Sequence, residues 1–275
     1  MQWKRPMSQP LSRARPVASR TAFGSPELPV RRVDPPSHSA WTVRRTSFPE
    51  RTPLPLRRYD ILWRDARGGI RDAQLNAPAL PLFESAFTAF ARGALLPTRQ
   101  GAVAIEDLLP GDEVETTEGD FVPVDWLGSV ALDTQGRRAP GAHPEPLYRI
   151  TADAFGLGRP TPDLVLGPAA RLLIRHAASR ALAPIRGLVD GVSVVEMRPP
   201  AAVRCYHLRL TRHAAIRVNG LELESFHPGP TANTELSGEL RAKFLTLFPH
   251  LGTLAEFGRP CHPRLTPAER LARAS

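Results

Sequence analysis

From about residue 58 onward, short runs of alternating apolar and polar residues are cut apart by Gly, Pro, Asn and Asp. Residues 58–64 (RYDILWR) read as a strand, 65–69 as a turn and 70–75 as a returning strand, which predicts a hairpin. Residues 84–91 fit either a short helix or an extended lead into the next module. Strand-like segments then follow at intervals of 8–15 residues: 93–97, 101–108, 113–117, 121–130, 147–152, 163–166, 171–174, 181–185, 192–197, 203–210, 215–218 and 221–223. Many short strands with Gly and Pro turns predict a mainly β fold. The absence of βα alternation, of GxGxxG and of a P-loop disfavours a nucleotide-binding α/β fold. Toward the end, Leu236, Leu240, Phe244, Leu245 and Phe248 recur at near-helical spacing, which predicts a helix over 233–248. Thr266, Pro267 and Glu269 then have the order of N-cap, N1 and N3 and predict a second short helix.

Charge separates the beginning of the chain from the rest. The first 58 of 275 residues carry 12 Lys and Arg against 3 Asp and Glu, whereas the remainder carries 24 of each. The whole surplus of +9 therefore lies in a segment that also holds 10 of the 30 prolines and has no sustained periodicity. Such a stretch buries too little apolar area to offset its ordering entropy, so residues 1–57 are expected to form a disordered basic arm. An Arg-rich arm can touch nucleic acid or anionic lipid. With no zinc-finger spacing and no RNP-type aromatic motif, nucleic-acid binding is disfavoured as the main role. No run approaches the ~18 apolar residues of a membrane span. The basic start lacks an apolar h-region, so no secretory signal is expected and a cytoplasmic, reducing setting is the default. Export without a cleavable signal stays open. Cys205 and Cys261 form neither a disulfide framework nor a CxxC pair.

Three blocks, in order, resemble the Hint (Hedgehog/intein) domain family. They are FARGALLPT with GAVAIEDLLPGD (90–98, 101–112), LGPAARLLI (166–174) and LTRHAAIRVNGLELESFHPG (210–229). The Glu-Ser-Phe-His-Pro-Gly ending is similar to bacterial stand-alone Hint-domain proteins. The resemblance implies a pseudo-two-fold β horseshoe over 89–229. A hairpin and connecting segment (58–88) would precede it, and a helical extension (230–275) would follow.

It also implies a chemistry. In the family a Cys, Ser or Thr at the first position attacks the preceding carbonyl, and a Thr and a His of the internal block activate that amide. A terminal His-Asn pair completes splicing, and in Hedgehog-type domains cholesterol attacks instead. In this sequence the nucleophile position is Ala89, the Thr and His positions are Gly167 and Ala170, and the final pair is Glu224-Ser225. Only His213, which opens the closing block, matches in type; Asn219-Gly220 matches as a hairpin turn. The expected protein is therefore a Hint domain without its cleavage apparatus, more a structural or interaction module than an enzyme. Its protein partner is left open and no cofactor is expected. Two alternatives remain: residual peptide cleavage or splicing, and binding of nucleic acid or an acidic surface through the arm.

Other groupings carry less. Thr88 and Ser85 are the nearest substitute nucleophiles, but a one-residue shift turns a side chain to the other face of an extended segment. Ser225 and His213 with a carboxylate suggest a hydrolytic triad, without the strand–turn–helix elbow. Cys205, His207, His213 and His227 lack a recurring zinc spacing, so no metal is expected. A packed thiol beside a hydrogen-bonded histidine suits Cys205 and His207 better. Cys261 and His262 carry no visible chemistry. The carboxylate pairs Glu106-Asp107 and Asp112-Glu113 read as turn and surface residues. With small residues at three family positions, the site is expected to be a largely apolar pocket.

Overall fold

The computed structural model describes residues 54–135 and 145–266. The arm up to residue 53, and the helix expected to open at Thr266-Pro267, lie outside the described residues. Strands β1 (Leu56–Arg64) and β2 (Ile70–Pro78) form the expected hairpin, paired from Leu56 against Pro78 to Arg64 against Ile70. Asp65 fixes its turn: Oδ1 accepts the N–H of Arg67 at 2.9 Å and of Gly69 at 2.8 Å. β1 starts two residues earlier than the pattern suggests. Arg57, placed with the arm by its composition, pairs at 3.1 Å with Glu84 of the short helix α1 (Pro81–Ser85).

The chain continues through β3 (Phe90–Ala91), β4 (Leu95–Thr98), β5 (Gly101–Ala104), β6 (Glu113–Glu115) and β7 (Phe121–Leu132). Next come β8 (Leu147–Ile150), β9 (Leu164–Leu166), β10 (Arg171–His176), β11 (Ser179–Pro184) and β12 (Val194–Met197). β13 (Val203–Leu210), β14 (Ala215–Val218) and β15 (Leu221–Glu224) complete the strands. All named pairings are antiparallel, as expected for a β-rich chain with short connections. One sheet runs β12-β8-β9-β3-β13-β7-β6-β4-β5, with β1 and β2 added on the other edge of β7. A second sheet runs β11-β10-β15-β14. The β14–β15 turn is Asn219-Gly220, both at positive φ (47° and 81°), as two-residue hairpins require.

β13 organises the interior because its residues alternate between two cores. Tyr206, Leu208 and Leu210 face one core with Phe90, Leu96 and Ile216. Cys205 faces the other, with Tyr59, Phe87, Trp126, Phe226, Phe244, Phe248 and Phe257. Within the second core Trp126 lies 4.5 Å from Phe248 and donates Nε1–H to Leu247 O at 2.7 Å. Tyr59 stacks on Phe87 at 4.3 Å. At Gly128 a Cβ would meet the Trp126 ring at 2.2 Å and Phe87 at 2.6 Å, so only glycine lets both rings in. The hairpin, α1 and the C-terminal segment thus share one aromatic core with the central sheet.

The helix expected over 233–248 is two: α2 (Ala232–Glu235) and α3 (Gly238–Leu245). Leu236 is extended (φ −98°, ψ 119°), Ser237 takes the N-cap position, and Gly238 is unfavourable inside a continuous helix. Beyond α3, residues 261–265 run beside β11, where Leu182 N–H donates to Pro263 O at 2.8 Å and Leu265 N–H to Leu182 O at 2.9 Å. Among the described residues no helix is long and apolar enough to cross a membrane.

Candidate functional site

The segment at residue 89 and the segment at residue 225 meet on one edge of β13. Ala89 N–H donates to Tyr206 O at 3.0 Å, and Phe226 N–H donates to Leu208 O at 2.7 Å. Carbonyls two residues apart on one strand are about 7 Å apart, so the two segments lie side by side despite their distance in sequence. The internal block closes on the same place: Phe90 pairs with Leu166, and Gly167 N–H donates to Ala89 O at 2.8 Å. Glu224, at the end of β15, reaches Arg171 at the start of β10.

At the 88–89 junction the contacts are backbone on backbone. Thr88 and Ala89 are buried. The Thr88 carbonyl accepts the N–H of Ala169 at 3.0 Å. A Cβ at position 167 would stand 2.1 Å from Thr88 O and 2.7 Å from its carbon, well inside contact distance, so Gly167 is required by this close approach. Ala170 is buried, with its N–H on Gly167 O and its carbonyl on Ile185 N–H. The substitute nucleophiles are engaged elsewhere: Thr88 Oγ1 donates to Glu84 O at 2.9 Å and Ser85 Oγ to Leu82 O at 2.7 Å.

The other side is charged, which corrects the expectation of an apolar pocket. Glu224, 3% exposed, faces two guanidiniums: Arg264 Nε at 2.8 Å on Oε1 and Arg171 Nη1 at 3.4 Å on Oε2. His213 Nε2 stands 3.2 Å from both Glu224 Oε1 and Ser225 O. Cys261 N–H donates to His213 Nδ1 at 2.9 Å, so Nε2 carries the ring hydrogen and donates toward Glu224. Burial by itself would raise the Glu224 carboxyl. The hydrogen bond from His213 and the fields of Arg264 and Arg171 outweigh it and hold the group at about 2. Two unpaired guanidiniums would be costly here, so the carboxylate is the natural partner.

The triad does not form, because Ser225 Oγ accepts Ala214 N–H at 3.1 Å while His213 addresses the Ser225 carbonyl. Cys205 sits in the aromatic core, where burial pushes its thiol up to about 12. Among the described residues no three His, Cys, Asp or Glu side chains are placed to hold a metal. His227 is occupied at both nitrogens, by Gly229 N–H and Gly258 O. His207 is not: Nδ1 accepts Leu208 N–H at 3.1 Å, and Nε2 has no partner among the described residues. Sequence reasoning missed Arg171 and Arg264, which lie 53 and 40 residues from the carboxylate they serve. Their one sequence signal is the buried-strand context of Glu224, which demands a cationic partner.

Comparison with known proteins identifies the family. The family model described as Hint domain matches residues 88–230, more than half of the chain. No curated protein matches. Among solved structures, a bacterial intein-like domain from Clostridium thermocellum is 14% identical, with 51% of this chain and 99% of that chain covered and a TM-score of 0.38. The gp41-1 intein is 11% identical, with 50% and 98% covered and a TM-score of 0.32. The MchDnaB-1 intein is 19% identical, with 50% and 100% covered and a TM-score of 0.30. With that match over more than half of its length, this chain belongs to the Hint domain family.

Proposed function

We propose that this Hint domain does not cleave itself and acts as a structural or interaction module. The observation that carries the reading is the packing of the Thr88 carbonyl against Gly167. In the family chemistry, the residue before the nucleophile supplies the acyl carbon, and the internal block supplies the group that activates its amide. Here the acyl carbon would be that of Thr88. It is followed by a methyl side chain at Ala89 and fills the space a side chain at 167 would need. Nothing at these positions can attack or protonate it. The Ala169 N–H on Thr88 O could polarise a carbonyl, but polarisation without a nucleophile gives no ester. At the far end, Glu224 and Ser225 offer no side-chain amide to cyclise, and Glu224 is held by two arginines.

The aromatic core that joins the flanking hairpin and helices to the domain also fits a module meant to stay in one piece. Intact-mass measurement after incubation with dithiothreitol or hydroxylamine tests the reading. A single chain of 30.1 kDa is expected. A nucleophile-dependent fragment ending at Thr88 would refute it.

A further inference from the structure

A cavity of about 380 Å³ opens beside the junction, between α1, the 168–171 turn and the segment after β15. Its volume lies in the range of small-ligand pockets, roughly 300–1,000 Å³. His207, 3% exposed, lines it. Because Nδ1 accepts Leu208 N–H, the ring hydrogen is on Nε2, the nitrogen without a partner among the described residues. Burial pushes this ring down to about 3, so it is a neutral donor at physiological pH. Phe90 and Phe226 pack edge-on around it at 5.5 and 5.3 Å and fix its direction. This donor is open to the cavity, where a ligand oxygen could accept from it.

The rest of the lining carries groups of both charges. Arg171 spends only Nη1 on its protein partners, and its surroundings include the fields of Arg264 and Arg186. Arg186 is exposed at the rim. On the other side, Glu84 lies in the field of Glu145, and both line the cavity. Glu84 Oε1 is buried and lies 3.1 Å from Arg57 Nε without forming a well-directed hydrogen bond. A third carboxylate, Glu235, accepts from Thr231 in α2. The cavity thus carries both cationic donors and carboxylates in its lining.

We propose that this cavity binds a small zwitterion, a free amino acid or dipeptide. Its carboxylate meets His207 Nε2–H, Arg171 and Arg186, and its ammonium meets Glu84 and Glu145. This goes beyond the non-cleaving reading and is tested separately from it. The full chain, with ¹⁵N-labelled histidine, is titrated with glycylglycine at millimolar concentration while the His207 ring resonances are followed. A saturable shift is expected. N-acetylglycine and glycinamide, which lack one charge each, should bind roughly tenfold more weakly. Arg186→Gln and Glu145→Gln lie toward the surface and should keep the melting temperature while each weakens binding about tenfold. No shift with glycine or glycylglycine would overturn the proposal. So would binding of either blocked probe as tight as that of glycylglycine, or unchanged affinity in both variants.

Discussion

The two sides of the candidate site are built in opposite ways. The entering side has the small side chains of Ala89, Gly167 and Ala170, and backbone fills the space: Thr88 O lies where any Cβ at 167 would be. The closing side carries a charge. Glu224 brings in Arg171 and Arg264 and takes the hydrogen of His213 Nε2. The first side is held by packing and backbone hydrogen bonds, the second by a buried ionic cluster. The tail containing Arg264 and Cys261 reaches the second through Glu224 and the His213 Nδ1 contact. A site can thus be closed by steric fit on one side and by electrostatics on the other within one fold.

Acid should separate the two and has the largest expected effect. The folded-state values of His207 (about 3) and His227 (about 4) lie below their unfolded value near 6.5, with burial the leading cause in both. Between those limits the unfolded chain binds more protons, so stability falls as pH drops below about 6.5. His207 alone contributes a slope of about 1.4 kcal/mol per pH unit. Glu224 has the opposite ordering of charge and the same outcome. Its stabilising contribution is complete above about 4.5 and is lost as pH falls toward 2. Denaturant titrations at stepped pH should show this decline; a flat profile from pH 7 to 4 would contradict the burial of His207 and His227, and a flat one from 4.5 to 2 the Glu224 cluster.

Glu224→Ala should come next. It leaves two largely buried guanidiniums facing each other and should cost about 3–5 kcal/mol in chemical denaturation. A cost under 1 kcal/mol would mean that the arginines are served by water. At the steric side, Gly167→Ala forces a methyl into the Thr88 carbonyl and should cost about 1–3 kcal/mol or more. Neutrality there would show that the junction can move apart. Removing the Cys261 N–H contact by truncation after residue 259 should destabilise the closing side while leaving the amide protons of Ala89 and Gly167 as slow to exchange as before. Amide exchange by NMR measures this directly.

Much of the fold was legible from local chemistry. Asp65 to Gly69 marked the first turn, Asn219-Gly220 the last hairpin, and the alternation of 203–210 coincided with β13. The site was legible only in part. The three blocks pointed to Ala89, Gly167, Ala170, His213, Glu224 and Ser225, and the structure brings their segments together. Its character was not legible, because Arg171 and Arg264 are tied to Glu224 by tertiary contacts that no local pattern encodes. The requirement for glycine at 167 depends on a carbonyl 79 residues earlier, as the Thr88 contact shows. The break between α2 and α3 was missed because the apolar spacing continues through Leu236 while Ser237 and Gly238 interrupt the backbone.

The most direct test of a junction closed by packing is the intact mass of the Ala89→Cys variant after prolonged incubation with dithiothreitol. This variant restores a nucleophile at the family position and nothing else. The account predicts one uncleaved chain, because Gly167 and Ala170 supply no group to activate the Thr88 amide and the Thr88 carbonyl stays packed against position 167. Efficient release of a fragment ending at Thr88 would contradict it and would show that a nucleophile at position 89 is enough to open the junction.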